Sequence, residues 1–213
     1  MTFSIVARDP KTGAFGVATA TAGPMVGALV PHTRRGLGAA ATQAMTNPYL
    51  AIDALALLDR EPAAVALQSA LERDAEAQRR QVILVDHRGG SDGWTGSQCV
   101  AHAGHRIGAG MAVAGNMLAG PAVLDNMLAA YRKTLDSVDF SAALLAALVA
   151  GAEAGGDSRG MGSAALRVQG DQEFCDLDLR VDSADAPLAE LARLLEAATS
   201  GPYAAFFATV PRR

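Results

Sequence analysis

The chain has 213 residues, half of them hydrophobic but only 5% aromatic, so we expect a core built mainly from alanine, leucine, valine and methionine. Its 18 basic and 22 acidic residues are interspersed and give a formal net charge of −4, which excludes a basic surface for nucleic acid or acidic lipid. Because it has no apolar run near the ~18 residues of a membrane span, no signal-peptide core and only two distant cysteines, the sequence predicts a cytoplasmic protein without a membrane partner.

The first part of the chain is predicted to be extended. Apolar and polar residues alternate at the start, and Asp9-Pro-Lys-Thr-Gly13 supplies turn chemistry for a hairpin. The polar residues 32–36 are predicted to form a turn. Strands are expected at residues 3–8, 14–21, 25–31 and 37–42.

The rest of the chain alternates between pairs of helices and groups of strands. Asn47 or Thr46 is a natural helix cap, with Pro48 at the first helical position. The apolar spacing predicts helices over residues 49–59, 62–74, 121–135, 140–153 and 187–198. Strands are expected at residues 81–86, 91–96, 100–117, 163–168 and 174–182.

This order favours an α+β protein over alternating βαβ units, because strands joined by hairpins form antiparallel sheets with segregated helices. The economical arrangement is a four-layer αββα sandwich with two stacked sheets inside and helices outside. No linker or charge block divides the chain, so we expect a single domain over residues 1–213.

Thr2 is the leading candidate nucleophile. If Met1 is removed, Thr2 carries both a hydroxyl and a free α-amine, which titrates near pH ~8 and can act as the base for its own hydroxyl. The structural alternative is an ordinary first strand behind the initiator methionine.

Other candidates are polar residues in small, apolar surroundings, which is typical of pocket linings. Each has a structural alternative: Thr42, Gln43 and Asn47 suit a helix cap, and Asp157 can pair with Arg159. Asn116 is either a turn former or an oxyanion donor. Ser163 opens a strand, and Ser4 lies inside the first one.

A metal site and a cysteine nucleophile are both disfavoured. His102 and His105 are not placed on one face by a glycine-rich strand, and Cys99 fits a buried, inert thiol better than a nucleophile. We therefore predict neither a metal nor a cofactor.

The whole chain resembles a bacterial family of unassigned role, the domain of unknown function family 1028. The matching stretches are Phe3–Asp9 (FSIVARD), Gly38–Pro48 (GAAATQAMTNP), Arg80–Asp86 (RQVILVD), Thr95-Gly96 with Cys99, Ala103–His105 (AGH), Gly115–Leu118 (GNML), Gly155–Gly160 (GGDSRG) and Asp178–Asp182 (DLRVD). That family resembles the N-terminal-nucleophile hydrolases, so the resemblance implies their αββα sandwich. A weaker resemblance to proteasome-type β subunits implies a basic residue near the nucleophile. Those enzymes use a lysine there, and the nearest residues here are Arg34 and Arg35.

Together these observations predict a hydrolase that acts on an amide C–N bond in a non-protein compound or a small peptide. The catalytic candidates are Thr2, Arg34, Asn116, Asp157 and Ser163. The ligand-binding candidates are Ser4, Thr42, Gln43, Asn47, His105 and Arg159. The alternatives are a non-catalytic protein that binds a small polar ligand, or an internal site that uses Ser4 or Cys99. The mean hydropathy of +0.18 and the Phe206-Phe207 tail favour a homodimer.

Overall fold

The computed structural model describes residues 2–213, in which ten strands form two antiparallel sheets. The strands are β1 (Thr2–Arg8), β2 (Phe15–Thr21), β3 (Pro31–Arg34), β4 (Gly38–Ala44), β5 (Arg80–Asp86), β6 (Ser91–Thr95), β7 (Gly104–Gly108), β8 (Met111–Asn116), β9 (Ser163–Gln169) and β10 (Leu177–Val181). One sheet has six strands in the order β10-β9-β2-β1-β8-β7. The other has four, in the order β3-β4-β5-β6.

Seven α-helices accompany the sheets within the same range of residues. They are α1 (Val26–Leu29), α2 (Pro48–Leu57), α3 (Ala63–Leu71), α4 (Ala122–Thr134), α5 (Phe140–Glu153), α6 (Pro187–Thr199) and α7 (Gly201–Phe207). None of the helices described in residues 2–213 combines the length and the apolar character that crossing a membrane requires.

The sheets stack face to face, with helices on both outer surfaces. Alternation along β1 sends Phe3 and Ile5 into a core with α4 and α5, while Val6 packs in the layer between the sheets. That layer consists mainly of alanine and valine, which lets the two sheets approach closely. On the other side, α2 and α3 cover Ala40 and Leu84 of the smaller sheet. The predicted α+β, four-layer αββα sandwich is therefore confirmed.

The start of α2 follows the predicted capping chemistry. Asn47 is the N-cap, and its side chain accepts a hydrogen bond of 3.1 Å from the Tyr49 backbone N–H, with Pro48 at the first helical position. This bond satisfies one of the amides that a helix start leaves unpaired.

The prediction for residues 25–34 is wrong. The expected apolar strand contains the short helix α1, and residues 32–34 of the expected polar turn belong to strand β3, so that the turn begins only at Arg35. Helix α1 packs closely on β9, where a Cβ at Gly27 would lie 2.9 Å from that of Ala165. Strand β3 is polar because it is an edge strand, and its Thr33 hydroxyl donates to Gln169 Oε1 at 3.0 Å.

Candidate active site

Four polar residues form one row across the end of the larger sheet. Thr2 lies opposite Asn116 on one side and Thr21 on the other, and Thr21 lies opposite Ser163. Directly opposed residues of antiparallel strands point to the same face, and Ser4, two residues after Thr2, contacts the smaller sheet. The row therefore faces the space between the sheets.

Thr2 occupies the first position of β1 and is only 8% exposed. Its Oγ1 lies 3.2 Å from Thr21 Oγ1, and either hydroxyl can be the donor. Its backbone carbonyl accepts a 3.2 Å hydrogen bond from Gln43 Nε2. The Thr2 hydroxyl is thus held on the inner face of the sheet by uncharged groups.

Three amide side chains and one hydroxyl link the two sheets, and we call Ser4, Gln43, Gln81 and Asn116 the amide network. Ser4 Oγ donates to Gln43 Oε1 at 2.6 Å, and Gln43 Nε2 donates to Gln81 Oε1 at 2.8 Å. Asn116 Nδ2 donates to the same Gln81 oxygen at 3.0 Å. All four side chains are buried, so these bonds satisfy polar atoms that have no access to bulk water.

Gln81 is the centre of this network and was not among the residues predicted from sequence. Its Nε2 lies within 3.0 Å of the carbonyl oxygens of Gly104 and Gly115 and of the Thr95 hydroxyl. The available signal was a glutamine directly before the apolar run of residues 82–85. A buried amide in such a strand needs partners from neighbouring strands.

His105 joins the amide network through Thr95, whose hydroxyl lies 2.9 Å from His105 Nδ1. Burial lowers the pKa of His105 below its ordinary value, an effect that Asp92 opposes and Arg106 reinforces. The ring is therefore predominantly neutral at pH 7 and accepts or donates through Nδ1 according to its tautomer.

Asp157 lies beside the row in the loop after α5. Its Oδ2 accepts from the Ala22 backbone N–H at 2.9 Å, and its Oδ1 accepts from the Arg159 backbone N–H at 2.8 Å. The Arg159 guanidinium adds a longer contact of 3.4 Å, with its side chain 48% exposed. The carboxylate therefore fastens this loop to the end of β2, and the pairing of Asp157 with Arg159 is observed.

Ser163 shares the row with Thr2, but its hydrogen bonds run to the α1 turn. Its Oγ donates to the Gly23 carbonyl at 2.6 Å and accepts from the Val26 N–H at 3.1 Å. These two bonds fix the turn over the end of β9.

Three other predicted site residues, Thr42, Asn47 and Arg34, lie in neither the Thr2 row nor the amide network. Thr42 donates to the Asn47 carbonyl at 3.0 Å, and Asn47 caps α2 and donates to Asp74 Oδ2 at 2.8 Å. Arg34 is exposed and pairs with Gly38, at the opposite end of β4 from Gln43. At ~3.3 Å per residue, that end is roughly 17 Å from Gln43, so Arg34 is not brought to Thr2.

Cys99 has a structural contact instead of a basic partner. Its Sγ donates to the Arg80 carbonyl at 3.3 Å, and burial raises the pKa of the thiol. A raised pKa keeps the thiol protonated at neutral pH, which disfavours the cysteine nucleophile. Among residues 2–213, no three His, Cys, Asp or Glu side chains are grouped closely enough to hold a metal ion.

A cavity of about 630 Å³ lies near the opposite end of β1 and β2. Asp9, Lys11, Phe140, Asp171 and Arg212 are among the residues that line it. None of the predicted site residues contributes to this cavity, so its volume does not identify the chemistry of the Thr2 row.

Two residues next to the amide network have left-handed backbone conformations. Ala44, which follows Gln43, has φ of 68°, and Met117, which follows Asn116, has φ of 53°. Such conformations cost residues other than glycine free energy and are common at functional sites. Ala44 and Met117 mark the ends of β4 and β8, directly after the amide side chains of Gln43 and Asn116.

Replacing Ala44 with glycine should raise the free energy of unfolding by about 0.5 to 1 kcal/mol, because glycine adopts positive φ without a Cβ clash. Urea denaturation measures this change. Ala40→Gly, at a buried position of the same strand, is the control and should destabilise. Equal losses in both variants would show that the conformation of Ala44 is not strained.

Comparison with known proteins places the chain in a family. The crystal structure of protein SPO2555 from Silicibacter pomeroyi, also described by the DUF1028 family model, matches with a TM-score of 0.93 and 33% identity, covering 99% of this chain and 92% of that one. Anbu (ancestral beta-subunit) from Yersinia bercovieri gives a TM-score of 0.42 and 14% identity, with 99% of each chain covered. Comparison with curated proteins gives no match. The model described as a family of unknown function (DUF1028) matches residues 2–191, so the chain belongs to that family.

Proposed function

We propose that this protein hydrolyses a small amide, with Thr2 as an N-terminal nucleophile exposed by removal of Met1. The observation that carries the proposal is the position of Thr2 Oγ1: the inner face of β1, at its first residue, within 3.2 Å of Thr21 Oγ1. Once Met1 is removed, the backbone nitrogen of Thr2 becomes a free α-amine beside its own hydroxyl.

The uncharged neighbours of Thr2 leave its α-amine as the base nearest to the hydroxyl. Thr21 and Asn116, opposite Thr2 in the sheet, carry no ionisable group, and neither does Gln43. The amine would accept the proton as Oγ1 attacks the carbonyl carbon, and then pass it to the leaving nitrogen as the C–N bond breaks. Water would hydrolyse the resulting ester, so that one amide and one water give one acid and one amine.

Asn116 is the residue best placed to stabilise the oxyanion. It lies next to Thr2 in the sheet, and its amide orientation is fixed by the bond from Nδ2 to Gln81. A fixed donor stabilises developing negative charge without reorganisation during the reaction. Asp157 and Ser163 would hold the loop and turn beside the row, while the exposed Arg34 has no part in this scheme.

The substrate class follows from the position and charge of the Thr2 row. The row faces the space between the two sheets, which limits access by a bulky protein chain, and the immediate polar neighbours of Thr2 are neutral. These features favour a small amide or short peptide over a protein substrate.

Cys99 and Cys175 are free thiols, which supports a reducing, cytoplasmic location.

Mass spectrometry of protein from its native host tests the proposal. We expect the intact mass without Met1 and covalent labelling of Thr2 by a β-lactone probe, located by peptide fragmentation. Thr2→Ser should retain labelling, whereas Thr2→Ala should reduce it by about 1,000-fold or more. Retention of Met1 in all molecules, or unchanged labelling of Thr2→Ala, would refute the mechanism.

Ser4→Ala separates this mechanism from an internal site. Ser4 is fully buried within the amide network, so removing its hydroxyl should leave the labelled residue unchanged. Loss of labelling in Ser4→Ala, with Thr2→Ala still labelled, would assign the reaction to Ser4.

A non-catalytic protein that binds a small polar ligand is the second candidate, favoured because Thr21, Gln43 and Asn116, the neighbours of Thr2, include no side chain that could act as a base. A thermal-shift screen with amino acids and small amides distinguishes the two functions. Stabilisation by the same compound in the wild type and in Thr2→Ala, without turnover in either, would support binding alone.

A further inference from the structure

Strand β10 is an edge strand that can accept another strand. Within residues 2–213 it pairs with β9 on one side only. Other edges of the sandwich are occupied: β6 packs against β7 near Gly93 and His105, and β3 is bonded to β9 through Thr33. The larger sheet therefore continues past the smaller one and ends in an unpaired backbone edge.

The sequence of β10, Leu177-Asp-Leu-Arg-Val181, is complementary to itself when two copies run antiparallel. A two-fold axis at Leu179 places Asp178 of one copy opposite Arg180 of the other, and this contact occurs twice. Charged residues on an edge strand usually prevent pairing. Here their opposite signs on either side of Leu179 would make two attractive contacts.

The charges already present on each copy fit this arrangement. Asp178 Oδ2 accepts from Arg167 Nη2 of β9 at 2.6 Å, and the Asp178 side chain remains 41% exposed. Arg180 contacts Asp182 at 2.8 Å and is also partly exposed. Joining the edges would place Arg180 of the second copy beside the exposed side of Asp178, extending an Arg–Asp pair into an alternating row.

An apolar surface lies on the helix side of the same edge. A cavity of about 590 Å³ beside β10 is lined by Leu177, Leu179, Leu194, Tyr203 and Phe207, among others. Tyr203, Phe206 and Phe207 of α7 form a cluster of ring contacts and are 62%, 58% and 45% exposed. Exposed apolar clusters of this kind mark interaction sites.

The two-fold axis brings these surfaces together. When two sheets join by antiparallel pairing of their edge strands, their helix-covered faces lie on the same side of the combined sheet. The α6 and α7 helices of the two copies would therefore lie next to each other. A five-residue strand pair alone buries too little surface for a stable dimer, and the aromatic clusters would supply the remainder.

We propose that β10 pairs with β10 of a second copy about Leu179, giving a homodimer with a continuous twelve-stranded sheet (twice the six of one copy). The occupant of the apolar groove is then the α6–α7 region of the second copy. This proposal is independent of the chemistry proposed for Thr2.

Sedimentation velocity of charge-reversal variants tests it. The wild type should have twice the mass of the chain, and Asp178→Arg and Arg180→Asp should each fall to half that mass. An equimolar mixture of the two variants should recover the dimer, because one edge then carries two positive charges and the other two negative charges. Asp125→Arg, a reversal on α4 that also breaks an exposed ion pair, should remain dimeric.

Leu179→Cys gives a second test that does not depend on the charge variants folding. A residue on the two-fold axis lies beside its own copy, so oxidation should give a covalent dimer above the background that the wild type forms through Cys99 and Cys175. A monomeric wild type at its highest soluble concentration, or a dimer that resists both charge reversals and forms no Leu179→Cys cross-link, would overturn the proposal. A monomer would leave the Thr2 labelling experiment unaffected.

Discussion

Replacing Gln81 with leucine is expected to lower the free energy of unfolding by about 3 to 5 kcal/mol. Gln81 Oε1 accepts hydrogen bonds from Gln43 and Asn116, and its Nε2 faces the carbonyls of Gly104 and Gly115. Leucine has a similar volume and cannot make any of these bonds. Several buried donors and acceptors would lose their partner at once, and each costs about 1 to 3 kcal/mol.

Two further variants make the test specific for the amide network. Gln98→Leu, on the exposed loop after β6, should change stability by about 0.5 kcal/mol or less. Gln81→Glu keeps the shape and the acceptors but loses the donor and buries a charge, so it should destabilise at pH 7 and recover as the carboxyl is protonated at low pH. A loss below about 1 kcal/mol in Gln81→Leu would mean that the network does not contribute to holding the sheets together.

Removing the Asp74 carboxylate should cost about 2 kcal/mol of unfolding free energy in Asp74→Ala. Its Oδ2 accepts from Arg80 Nε at 2.9 Å and from the Asn47 side chain at 2.8 Å. The Asp74 and Arg80 side chains are only 9% and 12% exposed, so Arg80 would lose its most buried partner. Glu76 remains beside Arg80, and the residual exposure screens the pair, which keeps the loss moderate.

The contribution of Asp74 should also depend on pH. Burial alone would raise its pKa, but hydrogen bonds from Arg80, Asn47 and the Glu76 backbone outweigh burial and lower it from 3.8 to about 2. Because the folded pKa lies below the unfolded one, the stabilisation is full above the unfolded value and is lost as the pH falls from about 4 to about 2.

Chemical denaturation of the wild type and Asp74→Ala at several pH values measures this difference. The gap in stability should be largest near neutral pH and should close in acid. Asp59→Ala, which removes an exposed carboxylate 3.9 Å from Arg60, is the matched control and should show almost no gap. A gap that stays constant down to pH ~2 would contradict the role of the charged carboxylate.

Local signals in the sequence were sufficient for most of the fold. The alternation in residues 3–8 and the turn after Asp9 determine the β1–β2 hairpin, and the Asn47-Pro48 cap determines where α2 begins. The hairpin signal and the helix cap both depend only on residues that are neighbours along the chain. The strand predicted at residues 25–31 is instead interrupted by helix α1, whose close packing on Ala165 of β9 is a long-range contact that no local pattern shows.

The candidate site was predicted less completely because its contacts connect distant parts of the chain. Thr2, Ser4, Gln43 and Asn116 stand out in the sequence as polar residues in apolar surroundings. In the structure, hydrogen bonds connect Ser4, Gln43 and Asn116 through Gln81 and reach the Thr2 carbonyl. Gln81 was missed because its role appears only when β5 lies opposite β8. The resemblance to a lysine position implies a role for Arg34, but the register of β3 on β4 places Arg34 at the far end of the smaller sheet.

The row of Thr2, Asn116, Thr21 and Ser163 has a consequence for the order in which the protein folds. The row draws one residue from each of four adjacent strands, and β8 and β9 follow β1 and β2 only after long stretches of chain. Closing such long loops costs entropy before the strand contacts repay it, so these pairings form slowly. A nascent chain would therefore acquire the complete row only after β9 has been synthesised and has paired with β2, late in its maturation.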